Sequence, residues 1–234
     1  MANSTSSDKA RPMTSWVANV SPFLIPALLL LIALGVALLC IPKGALHLCL
    51  CDRHTPFLDA VLPAYSNLVN WLPYTVIALL LLYRAGWSVF LAGDMLLTTA
   101  VVQPVKHLVC APRPLTWFAE NMPDVSLPLT DGVRMNYWLS FPSGHTTTFF
   151  ALFFTLSLIA MTDNWRGKYL WSLSFFLLAA VGAYSRIYLS QHFALDVFAG
   201  MCVAVLCTLL LYGVYVPRTI NSRFWTWNIR KLKK

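Results

Sequence analysis

Charge is scarce in this 234-residue chain: charged residues make up 11% of it, and only nine are Asp or Glu. A soluble domain carries roughly 25%. Hydrophobic residues reach 58% and the mean hydropathy is +0.65, more apolar surface than the interior of one small fold can hide. With so much apolar content, disorder is excluded. Ten glycines and fourteen prolines are too few for a collagen-like repeat. The six cysteines have no zinc-type spacing, and the Cys-x-Cys pair Cys49 and Cys51 is a poor intrachain disulfide. Cys40, Cys202 and Cys207 read as intramembrane packing, and Cys110 sits in an outer loop. What remains is a chain that lives in a membrane.

Long stretches without charge place its spans. Pro12 to Pro42 is the first, and Phe23 to Ile41 within it is almost wholly aliphatic. Ala60 to Tyr83 follows, strongest from Trp71 onwards, then Ala85 to Val105, broken only by Asp94. Thr146 to Thr162, Tyr169 to Ser185 and Val197 to Pro217 complete the set. A bilayer core needs about 20 apolar residues in a helix, so the sequence predicts an all-α, polytopic bundle of six transmembrane helices. Trp71, Trp87, Trp165 and Trp171 fall near segment ends, where amphipathic rings favour the interface. The first apolar run outlasts the core of a cleaved signal peptide, so a retained helix is expected. The expected organisation is a cytoplasmic segment over 1–22, a six-helix membrane domain over 23–217 and a basic cytoplasmic tail over 218–234.

An even number of spans puts both termini on one side. That side collects eleven of the seventeen Lys and Arg residues: Lys9, Arg11, Arg84, Arg166, Lys168 and the six of the tail. The other holds Lys43, Arg53, Lys106, Arg113, Arg134 and Arg186. The asymmetry predicts cytoplasmic termini, with the inner membrane of a bacterium as the expected location. The tail suits anionic headgroups or simply fixes topology, and the basic patch is too short to bind nucleic acid. The long connections, Gly44 to Ser66 and Lys106 to Pro142, then lie outside, where function tends to concentrate.

Three polar clusters sit at span ends on that outer side. Lys106 and Arg113, seven residues apart with prolines nearby, could turn both cations toward one anion, although boundary cations also serve as snorkelling anchors. Pro142-Ser143-Gly144-His145 opens a helix, whose N–H groups and dipole favour an anion, with His145 placed for proton transfer. An ordinary Ser143 cap is the alternative. His192 and Asp196 are four apart and would share a helix face, the carboxylate fixing the imidazole tautomer; Arg186 precedes them. A structural His–Asp pair is the alternative. Alternating helix direction brings all three clusters into one layer: three cations, a helix N-terminus and two histidines around one phosphate.

The patterns Lys-x6-Arg-Pro at Lys106–Pro114, Pro-Ser-Gly-His at Pro142–His145 and Ser-Arg-x5-His-x3-Asp at Ser185–Asp196 resemble the phosphatidic acid phosphatase type 2 / vanadium haloperoxidase superfamily. The resemblance covers Lys106 to Asp196 by motif and most of the chain by helix layout. It implies that His192 attacks phosphorus to form a phosphohistidine, oriented by Asp196. His145 protonates the leaving oxygen and then activates water. Lys106, Arg113, Ser143, Gly144 and Arg186 hold the phosphoryl oxygens. It implies no metal and no cofactor, and the membrane setting argues against the haloperoxidase branch.

The expected activity is hydrolysis of a lipid phosphate or diphosphate, such as undecaprenyl diphosphate, phosphatidylglycerol phosphate or phosphatidic acid, with the bilayer and that lipid as partners. Alternatives are a lipid A 1- or 4'-phosphatase, a lipid phosphotransferase, and a non-catalytic transporter or scaffold that binds phosphate. The loop Leu115 to Leu139 is expected to shape headgroup selection. Asp94 lies roughly 18 Å along a helix from Lys106, too far for direct catalysis, and is expected to bond a Ser or Thr of another helix. His107 is expected to face the headgroups.

Overall fold

The structure, a computed structural model, describes residues 13–219 together with Ser222, Trp225 and Trp227. Residues 1–12 of the segment expected over 1–22, and most of the basic tail, lie outside the described residues, while residues 13–22 are helical and continue into the first span. Among the described residues the fold is helical: α1 (Met13–Cys40), α2 (Lys43–Cys51), α3 (Pro56–Asn67), α4 (Leu72–Tyr83), α5 (Ala85–Val109), α6 (Pro114–Asn121), α7 (Gly144–Thr162), α8 (Lys168–Tyr188) and α9 (Ala194–Thr219). By length and composition α1, α5, α7, α8 and α9 can each cross a bilayer.

The sixth passage differs from the continuous helix expected over Ala60 to Tyr83. It is broken: a 3-10 turn at Leu68–Asn70 ends the α3 segment, and α4 leaves it at a bend of 55°. Pro73 sits in the first turn of α4, where its missing N–H does no harm, and it resists a helix entering from α3. With 12 residues, α4 rises only about 18 Å, short of the roughly 30 Å hydrocarbon core. The outer connections are also more structured than expected, since Gly44 to Ser66 contributes α2 and most of α3, and the third-to-fourth link contributes α6.

The centre of the bundle is α7, buried on nearly every side by α1, α5, α8 and α9. Lipid tails are as apolar as leucine, so packing and polar pairs rather than a hydrophobic drive must join membrane helices. Phe23 of α1 stacks on Phe154 at 4.6 Å between ring centroids. Asp94 is fully buried and accepts hydrogen bonds from Thr208 of α9 (2.7 Å) and Thr155 of α7 (3.4 Å), the interhelical pairing expected of it. At the opposite end from the motif clusters, Asp163 accepts from Tyr83, Arg84 and Trp87, tying the α4–α5 turn to the end of α7. Leu29, Ile32 and Leu39 of α1 and Leu206 and Leu210 of α9 remain outward, a surface for lipid.

Candidate active site

The three motif clusters meet at one end of the bundle, and the first is built around an irregular loop. Lys106 and His107 occupy the last turn of α5 rather than following the helix. The end comes at Cys110, whose left-handed backbone (φ 45°) returns its N–H to the Lys106 carbonyl. Pro104 lies inside the helix without ending it. His107 is exposed, as expected. Residues 111–113 then run beside 137–140, joined by Arg113 N–H to the Tyr137 carbonyl (2.8 Å) and Ser140 N–H to the Ala111 carbonyl (3.0 Å). Successive carbonyls of that segment aim the cations. Trp138 accepts from Arg113 Nε (3.0 Å), and Leu139 accepts from Lys106 Nζ (2.8 Å).

The second cluster is the start of α7. Ser143 is its N-cap, accepting from Thr146 N–H (3.4 Å) and the Thr146 hydroxyl (2.9 Å). The cap is docked on α9: Ser143 N–H donates to the Asp196 carbonyl (2.9 Å), and the Thr147 hydroxyl donates to the Gly200 carbonyl (3.1 Å). Gly200 is required there, because a Cβ would stand 2.6 Å from the Ser143 carbonyl oxygen. The first N–H groups and the positive dipole end of α7 thereby face the cations of the first cluster.

The third cluster departs from its expected form. His192 lies in the turn before α9 and Asp196 in the first turn of that helix, so the two do not share one helical face. They still meet: Asp196 Oδ2 is 3.5 Å from His192 Nδ1. The same oxygen accepts from the Ser140 hydroxyl (2.5 Å) and the Phe193 N–H (2.8 Å). The turn is closed by the N–H groups of Gln191 and His192, both bonded to the Arg186 carbonyl. Arg186 itself is 7% exposed and donates to Ser66 of α3 (2.6 Å). Burial, the largest influence, pulls the His192 pKa down to about 3 against the opposing pull of Asp196, with Arg113 and Arg186 adding to the depression. The imidazole is therefore neutral, with a free lone pair available.

Lys106, Arg113, Gly144, His145 and His192 line one cavity of about 380 Å³. Ser143, Arg186 and Asp196 stand in the layer behind, not on its wall. Among the described residues the three cations donate to neutral acceptors alone: backbone carbonyls, the Ser66 hydroxyl, and for Arg113 also the Gln191 carbonyl and side-chain amide oxygen (both 3.1 Å). The adjacent carboxylate, Asp196, is already taken by Ser140, Phe193 and His192. Such an excess of buried positive charge calls for an anionic ligand with several oxygens. Among the described residues no three His, Cys, Asp or Glu side chains converge to hold a metal ion.

Ser140, Gln191 and Ser66 were not singled out by sequence. Each acts by touching a motif residue across 56 to 120 positions of chain, and nothing periodic marks them. Gln191 also fastens the loop by donating to the Arg134 carbonyl (3.2 Å).

Several known proteins resemble this chain. The chain is 27% identical over 170 residues to a lipid A 4'-phosphatase of Porphyromonas gingivalis, covering 69% of this chain and 67% of the relative. The crystal structure of LpxE from Aquifex aeolicus superposes with a TM-score of 0.58 at 26% identity, over 72% of this chain and 93% of that one. A transmembrane PAP2-type phosphatidylglycerolphosphate phosphatase of Bacillus subtilis shares the fold, with a TM-score of 0.54 at 23% identity, over 89% and 99% of the two chains. The model of the PAP2 superfamily matches residues 87–220, which hold every motif position and more than half of the sequence, and the chain belongs to that superfamily.

Proposed function

We propose that the protein is a membrane lipid phosphatase that releases phosphate from a lipid phosphate or diphosphate through a phosphohistidine, at the extracytoplasmic face. The observation that carries this reading is the cavity itself: it is lined by cations with neutral partners and by two histidines, one of them backed by a carboxylate. Binding alone would need the cations but not the His192–Asp196 pair.

His192 Nε2 attacks phosphorus as the phosphorus–oxygen bond to the lipid breaks, and His145 gives a proton to the departing oxygen. His145 then takes a proton from water, which attacks the phosphohistidine, releasing orthophosphate and restoring His192. Lys106, Arg113, the Gly144 N–H and, from behind, Arg186 and Ser143 stabilise the charge that gathers on the phosphoryl oxygens. Asp196 accepts from Nδ1 and holds the ring for attack by the opposite nitrogen. The excess of Lys and Arg at the other side supports cytoplasmic termini and a site facing outward. A lipid A phosphate is the substrate that the name of the Porphyromonas gingivalis relative favours.

The test is phosphate release from lipid substrates by purified protein in detergent. Wild type should turn over, His192→Ala should be inactive, and His145→Ala should be strongly slowed while trapping an acid-labile phosphoenzyme. Undiminished turnover by His192→Ala would overturn the mechanism.

A further inference from the structure

The cavity continues past the phosphate cradle. Along α5 its lining runs from Lys106 through Gln103 and Thr99 to Thr98, about 12 Å at 1.5 Å per residue. The facing wall is the break between α3 and α4, where Asn70 and Tyr74 sit. Asn70 and Gln103 are both exposed, and against lipid tails an exposed amide is costly unless it is paired. Yet the amides of Asn70 and Gln103 line the cavity without a hydrogen-bond partner among the described residues. Phosphate chemistry uses neither of them. Each offers donors and an acceptor and carries no charge, which suits hydroxyl or amide groups rather than a second phosphate or bare hydrocarbon. The wall with Asn70 also lies outside residues 87–220, the part matched by the family, while the catalytic set lies inside.

We infer that Asn70 and Gln103 form a headgroup subsite that hydrogen-bonds an uncharged, hydroxyl- or amide-bearing group next to the scissile phosphate. Sugar-based lipid phosphates then become preferred over prenyl phosphates, whose phosphate is borne directly by hydrocarbon. This rests on the phosphatase reading. A cavity built to bond such groups discriminates against ligands that lack them, since its own polar atoms are then left unpaired.

The experiment measures kcat/KM for lipid A and for a polyprenyl monophosphate in the same detergent micelles, with wild type, Asn70→Ala, Gln103→Ala and the double variant. The expected result is a lipid A preference that falls about threefold in each single variant and about tenfold or more in the double, through KM for lipid A. Because the readout is a ratio within one preparation, a general loss of folded protein cancels. An unchanged ratio means that the amides merely wet the cavity and overturns the inference while leaving the phosphatase reading intact. Phosphate release from neither lipid by wild type overturns the phosphatase reading itself.

Discussion

Gly200→Ala is the sharpest probe of how the catalytic end is assembled. The perturbation is one methyl group on α9, placed 2.6 Å from the Ser143 carbonyl oxygen and 3.1 Å from Thr147 Oγ1. Carbon and oxygen must separate to between 3.0 and 3.4 Å, so the cap of α7 moves away from α9 by about 0.4 to 0.8 Å. His145 travels with α7, whereas His192 and Asp196 stay with α9, so the displacement opens the gap between proton donor and nucleophile. A misplacement of 1 Å costs roughly a hundredfold in rate, which gives a fall in kcat of about five- to fortyfold. KM should change little, because Lys106 and Arg113 are held by the 137–140 segment rather than by α9. Gly213→Ala is the control, since a Cβ there meets only Trp16 Nε1, at 4.0 Å. Steady-state phosphate release measures both variants, with thermal unfolding to verify folded protein. A kcat within twofold of wild type for Gly200→Ala would refute the claim that the α7–α9 approach sets the catalytic geometry.

Ser140→Ala removes a hydroxyl donor from Asp196 Oδ2; a lost bond to a charged group is worth about 1.5–3 kcal/mol, so kcat should fall at least tenfold with KM nearly constant, by the same assay. His47, buried on α2 beside Phe118 and Phe193 and bonded to Ser190 (3.2 Å), has its pKa pulled from 6.5 to about 4, chiefly by burial, with Asp196 opposing and Lys43 assisting. Its folded value lies below its unfolded one, so its contribution is complete above pH 6.5 and is lost as pH falls toward 4, by about 3 kcal/mol in all. Thermal unfolding at pH 7 and pH 4.5 should therefore show a smaller acid-induced loss for His47→Gln than for wild type. Thr208→Val strips the 2.7 Å donor from buried Asp94 and should lower stability by about 1–3 kcal/mol, read as a drop in unfolding temperature, with kcat of the remaining folded protein unchanged.

Much of the site was legible because the chain is so apolar: a Lys, Arg or His at a span end stands out when nearly every neighbour is aliphatic. Motif spacing and alternating helix direction were enough to expect Lys106, Arg113, His145 and His192 together, and Asp94 against a threonine. The break at Leu68–Asn70 was not legible. The run from Ala60 to Tyr83 carries no charge, and proline alone does not mark a break, since Pro22, Pro26 and Pro104 all lie inside helices that continue. The pairing of His192 with Asp196 was expected for the wrong geometric reason: a backbone turn and the Phe193 N–H bring them together, not a helical face. Ser140, Gln191 and Ser66 gave no signal because their importance lies in what they touch after folding.

The broken span also divides the chain between two kinds of constraint. Residues that make and break bonds to phosphorus are fastened to long helices that grip one another at α7, and most changes there disturb the reaction. The wall carrying Asn70 and Tyr74 belongs to the break between two short helices joined at an angle, which can be rebuilt around Ser66, the α3 residue that holds Arg186. A chain organised in this way can change the lipid it accepts while its chemistry stands still, and differences in diet among its relatives should be sought between residues 56 and 83.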